Sequence, residues 1–210
     1  MRSLLYKEWV VNQAIIISMA VLLIAGSMFV KMFNDTGQNP IYLAVIFGLM
    51  YPFIGDMNEN TNKSENLINS LPVNRTEIVT SKYVSALLFG VLVIGITAFL
   101  KFFSLFEENQ FIELAAALSF IGIFIAVYLP VFYLLGPRFV MIGMAALGLL
   151  GFVFIPMLVE AGMENGFWGL ADVYREYSND LLSAILIGIT IVALLVSWFI
   201  SVRLYAKKQF

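Results

Sequence analysis

The chain holds neither histidine nor cysteine, so any chemistry it performs falls to carboxylates, hydroxyls and lysines. That removes thiolate and imidazole metal sites, disulfides and the nucleophile triads that need histidine. Glu107 and Glu108 are the nearest approach to a paired-carboxylate acid–base site. They fall in a polar turn between apolar runs, which a solvated acidic turn explains better than catalysis. No G-x-x-x-x-G-K-[ST] phosphate loop occurs, so ATP binding by that route is not expected. The long charged, turn-forming stretch on which the rest turns is residues 56–83, DMNENTNKSENLINSLPVNRTEIVTSKY, which carries Asp56, Glu65, Arg75 and Lys82 between two apolar runs.

Within that stretch Leu67, Ile68 and Leu71 fall at i, i+1 and i+4, the spacing that places apolar groups on one helical face. Asn62 suits the N-cap, with Glu65 three residues on as its capping-box partner. Pro72 ends such a helix, because its ring removes an amide donor and disfavours helix at Leu71. The expectation is a short amphipathic helix in an elbow over residues 57–78. Its apolar face has two uses open to it: packing on the bundle or lipid interface, or docking a partner.

The elements that position these residues are transmembrane. The 210 residues are 61% hydrophobic and 12% charged, with mean hydropathy +0.92, whereas a soluble domain is about 25% charged. Crossing a hydrocarbon core of about 30 Å takes roughly 20 helical residues. Apolar runs near 12–33, 40–56, 79–105, 111–135, 138–160 and 180–205 meet or approach this, which predicts six spans. The fold class is therefore all-α: one polytopic transmembrane domain over 1–210, with nothing left for a soluble domain. Residues 1–11 mix Leu4, Leu5, Trp9 and Val10 with Arg2, Lys7 and Glu8, a pattern suited to an interfacial helix. The apolar run at 14–30 exceeds the signal-peptide h-region of about 7 to 15 residues, so it is taken as the first span. Gly136, Pro137 and Arg138 predict a tight hairpin between spans four and five.

Orientation follows from lysine and arginine. With the N-terminus inside, one side collects Arg2, Lys7, Lys63, Arg75, Lys82, Arg138, Arg203, Lys207 and Lys208, and the other only Lys31, Lys101 and Arg175. Both termini and the elbow are expected in the cytoplasm of a multi-pass cell (plasma) membrane protein. The outer loop, 161–179, carries Phe167, Trp168, Tyr174 and Tyr177 among acids and glycines. Interfacial aromatics explain it; Phe167 and Trp168 as an outer gate over a substrate path is the sharper alternative.

Charge deep in a bilayer marks ion paths and proton relays, and the runs contain almost none. A proton-coupled carrier, an ion channel and an intramembrane hydrolase are disfavoured on that ground. Pro52, Pro130 and Pro156 each free a backbone carbonyl that neighbouring helices or water must satisfy. Gly122 with Ala126 forms a small-xxx-small pair, and Gly143, Gly148 and Gly151 also permit close backbone approach. Phenylalanine and methionine recur, as at Phe120, Phe124, Phe132, Met141, Met144 and Met157. Lipid contact and packing account for most, while any lining a path favour an amphipathic passenger.

The string Ser70-Leu71-Pro72-Val73-Asn74-Arg75, followed by Ile78-Val79 and Lys82-Tyr83, resembles the cytoplasmic loop of small membrane subunits of type-2 ATP-binding-cassette exporters. There an acidic residue closes the second span, a polar helix follows, then Leu-Pro, a small residue, Arg, and Lys-Tyr opening the third span. Asp56, Leu71, Pro72, Arg75, Lys82 and Tyr83 stand in those places; Asn74 stands where Ser is more usual. With six spans and this length, the resemblance covers the chain. It implies that Leu67, Ile68 and Leu71 dock on a separate cytoplasmic ABC ATPase, that Asp56 and Arg75 orient the elbow, and that Lys82 and Tyr83 anchor it to span three.

The resemblance further implies a second permease, as homodimer or heterodimer, and ATP and magnesium on the partner ATPase rather than on this chain. It points to export from the cytoplasm or inner leaflet of an amphipathic substrate: a peptide toxin or antimicrobial peptide first, a lipid or drug second, as in small Gram-positive exporters. Membrane lipid is the surrounding partner, and no nucleic acid is expected. The competing class is a non-transport membrane protein, such as a peptide-immunity protein or a membrane anchor.

Overall fold

The computed structural model describes residues 2–33, 41–61, 74–102, 111–136, 139–140, 142–143 and 178–207. Among them are five long helices and no strand: α1 (Arg2–Phe33), α2 (Ile41–Thr61), α3 (Arg75–Phe102), α4 (Phe111–Leu135) and α5 (Asn179–Lys207). All five are long and apolar enough to cross a membrane. The expected spans 111–135 and 180–205 coincide closely with α4 and α5. Most of the expected fifth span, 138–160, and of the outer loop, 161–179, lies outside the described residues.

Two boundaries differ from expectation. The interfacial helix placed at 1–11 and the span begun at 12 are one continuous helix, α1. No glycine or proline precedes Gly26, so nothing breaks the backbone where the polarity changes. Its 32 residues extend about 48 Å, well beyond a core of about 30 Å. The elbow is also shorter than 57–78, because α2 continues past Asp56 to Thr61 and α3 begins at Arg75. Asn74 opens α3, its carbonyl accepting from the amides of Glu77 (2.9 Å) and Ile78 (3.2 Å). Glu77 in the first turn complements the helix dipole.

Contacts fix the directions. Gly26 of α1 lies against Leu43 of α2 and Asn12 against Gly55, so the two are antiparallel. Tyr51 stacks on Phe89 at 4.2 Å between ring centres and Asp56 meets Lys82, setting α3 antiparallel to α2. Helices α4 and α5 run parallel, pairing Gly122 with Thr190, Ala126 with Ser197 and Tyr133 with Tyr205. The chain therefore leaves α4 at one end of the bundle and enters α5 at the other. Gly136 closes α4 with φ of 81°, a left-handed conformation that favours glycine, and its amide donates to the Phe132 carbonyl at 2.9 Å.

Small residues set how closely the helices approach, as expected without a water-driven hydrophobic force between them. Ile121 is fully buried against Gly48 of α2 and Gly90 of α3; a β-carbon on Gly48 would stand 2.5 Å from its Cδ1. Around it Leu23, Val93, Ile125 and Leu129 form the bundle core. Against α4, α5 turns a buried stripe of Ser183, Thr190, Ser197 and Ser201, while Ile185, Ile189, Val192, Val196 and Phe199 are exposed on its other side. An apolar surface of this extent suits lipid or another membrane subunit rather than water.

Candidate functional site

The polar side chains gather at the end of the bundle where α1 and α3 begin and α2, α4 and α5 finish. Asp56, about three-quarters of the way along α2, is ion-paired with Lys82, two turns into α3. Both are largely buried, with side-chain exposures of 7% and 12%, so the pair is shielded from the screening that weakens surface bridges. The second carboxylate oxygen of Asp56 accepts from the Tyr128 hydroxyl of α4 at 3.1 Å. The Lys82 ammonium also sits 5.1 Å over the Phe132 ring, a cation–π contact. One ion pair thus joins the two arms of the elbow and fastens both to α4.

Helix α1 adds a second polar group. Glu8 is buried at 7% exposure, with Lys7 3.2 Å from one carboxylate oxygen and the Asn12 amide 3.4 Å from the other. Glu8 and Asn12, one helical turn apart, face Asp56 and Lys82 across a cavity of about 20 Å³ also lined by Tyr51, Gly55 and Ser85. That volume holds about one water. Glu8, Asp56 and Lys82 thus lie within helices apolar enough to cross a membrane, at one end of the bundle rather than midway along it. The charges are tolerated there because each finds an opposite charge or donor within reach.

Arg75 and Tyr83 hold the start of α3 to the end of α5. The Arg75 guanidinium donates to the carbonyls of Ala206 (2.6 Å) and Tyr205 (3.4 Å), satisfying the unpaired acceptors of a helix C-terminus. The Tyr83 hydroxyl bridges Ser197 (2.6 Å) and Ser201 (2.8 Å), and the Trp198 indole donates to Thr80 at 3.0 Å. The carbonyl freed by Pro130 is that of Ala126, and the Ser197 hydroxyl donates to it, as the proline pattern requires.

Of the residues singled out in sequence, the structure brings Asp56 and Lys82 together and directs Arg75 and Tyr83 to α5. Glu65, Leu67, Ile68, Leu71 and Pro72 lie outside the described residues, as do Phe167, Trp168 and the Glu107–Glu108 pair. Sequence reasoning takes Glu8 only as part of an interfacial pattern and does not reach Asn12, Tyr128, Ser197 or Ser201. The signal for them was present: Glu8 and Asn12 share a helical face, Tyr128 follows Phe124 one turn along α4, and hydroxyls recur along α5 at Ser183, Thr190 and Ser197.

These features describe an α-helical integral membrane protein whose polar organisation is concentrated at the feet of one hairpin. The family model for the ABC-2 family transporter protein matches residues 3–206, nearly the whole chain. The chain belongs to that family and is a membrane permease subunit of an ABC transporter, working with a separate ABC ATPase subunit. No curated protein and no solved structure matches the chain significantly.

Proposed function

We propose that this chain is an export permease of the plasma membrane, with both termini in the cytoplasm, that moves an amphipathic substrate when a partner ATPase closes on ATP. The observation that carries the coupling part of this reading is the fastening of both elbow arms. Asp56 on the outgoing arm and Lys82 on the returning arm form one buried pair, and α3 is tied to the end of α5 through Arg75, Thr80 and Tyr83. A push applied to the intervening segment, with Leu67, Ile68 and Leu71 as docking face, Glu65 and Pro72 bounding it, then moves several helices together rather than bending one arm.

The passage of the chain from the end of α4 to the opposite end of the bundle at α5 supports a sixth crossing. The exposed apolar face of α5 supports a second permease beside it, as homodimer or heterodimer. ATP and magnesium belong on the ATPase. An amphipathic peptide is the first substrate, a lipid or drug the second, and Phe167 with Trp168 forms the outer gate.

The test is affinity capture of the full chain in mild detergent, with Leu67 and Leu71 intact or both changed to aspartate. An ABC ATPase is expected to copurify with the intact chain and be lost with the double variant. Equal capture by both would remove the docking face; no ATPase in either would favour an immunity protein or anchor.

A further inference from the structure

A second, separate space in the bundle is apolar. It holds about 240 Å³ and is bounded by Trp9 and Ile16 of α1 and by Leu88, Phe89 and Leu92 of α3. Tyr51 and Ser85 wall it off from the polar cavity, and Tyr51 is hydrogen-bonded to Ser85 and Asn12, so the polar groups of that partition bond one another. No charged side chain among the described residues lines the apolar space. Trp9 and Leu88 are 52% and 62% exposed, whereas Ile16 and Phe89 are buried at 7% and 3%. The space is therefore a slot with an open mouth and a closed back. Both walls belong to stretches apolar enough to cross a membrane, Tyr6–Phe29 and Arg75–Leu100, so the mouth opens on hydrocarbon.

We propose that this slot binds one acyl tail of a bilayer phospholipid, whose headgroup stays outside at the membrane surface. Helices α1 and α3 run in the same direction, each being antiparallel to α2, so the slot follows the bundle axis. Trp9 and Ile16, like Ser85 and Leu92, are two helical turns apart, about 10 Å, against about 15 Å for one leaflet of a hydrocarbon core of about 30 Å. A tail enters sideways and keeps its ordinary direction and depth. A cavity of about 150 Å³ takes up the six-carbon ring of benzene, so 240 Å³ has room for a longer run of carbon. No water-driven force favours the transfer, because lipid tails are as apolar as leucine; the tail is held by dispersion contact with three walls instead of one. A free fatty acid or an ionic amphiphile finds no counter-charge in such a lining. Binding of a resident tail needs no ATPase and is independent of what is exported, so it and the export reading fail separately.

The experiment is photo-crosslinking of the full chain in phosphatidylcholine nanodiscs containing a trace of phosphatidylcholine with a diazirine on one tail, the adducts being located by peptide mass spectrometry. Lipid that merely surrounds the bundle reaches the rim but not the buried back of the slot. Labelling of Ile16 and Phe89 is therefore expected within about threefold of exposed Leu88 and at least about tenfold above Ile121, which is fully buried in the core. A diazirine near the ester should favour the Trp9 end and one near the terminal methyl the Ile16 end. Leu88→Trp sets an indole across the mouth and should lower labelling of Ile16 and Phe89 at least about fivefold, while Ile189, exposed on α5, keeps its own. Should that variant fail to assemble, the depth order in the unaltered chain decides. Labelling of Ile16 and Phe89 no higher than that of Ile121 overturns the site and leaves the slot to a protein segment or a second copy. Undiminished labelling in Leu88→Trp, or no order with depth, overturns it as well.

Discussion

The Ser197 hydroxyl donates to the Ala126 carbonyl, which is the acceptor stranded when Pro130 replaces a helical amide one turn later. The same hydroxyl meets Tyr83 at 2.6 Å, so one serine side chain connects α3, α4 and α5. A proline inside an apolar helix ordinarily leaves a polar group that hydrocarbon cannot satisfy. Here the defect in α4 becomes a point of attachment for its neighbour.

Replacing Ser197 by alanine should therefore cost about 1 kcal/mol, near the range measured for hydrogen bonds between membrane helices. Pro130→Ala returns the amide that Ala126 lacks, so in that background the same serine change should cost clearly less. A thermal or steric-trap unfolding cycle over the four variants reads the difference. Equal costs in both backgrounds would mean that Ser197 acts through Tyr83 alone.

The Asp56–Lys82 pair gives a larger effect. Asp56→Asn or Lys82→Met alone leaves a buried charge without its opposite, a change of about 3–5 kcal/mol in comparable buried pairs, and should lower folded protein in the membrane sharply. The double variant should recover much of the loss, because neither charge is then stranded. Yield and melting temperature of the detergent-solubilised chain check this; a double variant as poor as the worse single one would contradict the pairing.

How far the sequence discloses this site depends on which residues act locally. Apolar run length determines helices, so α4 and α5 were legible nearly to the residue. The break expected near residue 12 rests on a change in polarity, yet backbone continuity is governed by glycine and proline, which α1 lacks until Gly26. Asp56 and Lys82 were legible as ends of an elbow, but their mutual contact spans two helices and no local spacing encodes it. Glu8 read as a headgroup-plane residue because its burial is created by α2 and α3. Pro130 announced a stranded carbonyl, while only the packing of α5 named Ser197 as the group that satisfies it.

Close packing of α4 on α5 predicts a steric pair. A β-carbon on Gly122 would stand 2.4 Å from Thr190 Cγ2, so Gly122→Ala should destabilise by about 1–3 kcal/mol, as overpacking does. Thr190→Ala removes that methyl and leaves the Thr190 β-carbon at 3.9 Å, an ordinary contact. The Gly122→Ala/Thr190→Ala chain should melt above Gly122→Ala alone, and failure of that rescue would place the strain elsewhere.

Arg75 predicts a local effect at the far end of the sequence. Its guanidinium donates to Ala206 and Tyr205, where positive charge also complements the helix dipole, a contribution of about 0.3–1 kcal/mol at an exposed terminus. Arg75→Ala should therefore speed hydrogen exchange in the last turn of α5 by about two- to fivefold and leave the turns around Thr190 unchanged. Arg75→Lys keeps the charge but not the planar guanidinium whose Nη1 reaches both carbonyls, so its exchange should fall between the two. Because the contact is with α5, ATPase capture through the docking face proposed at Leu67 and Leu71 should survive Arg75→Ala. Loss of capture would instead assign Arg75 to the docking face.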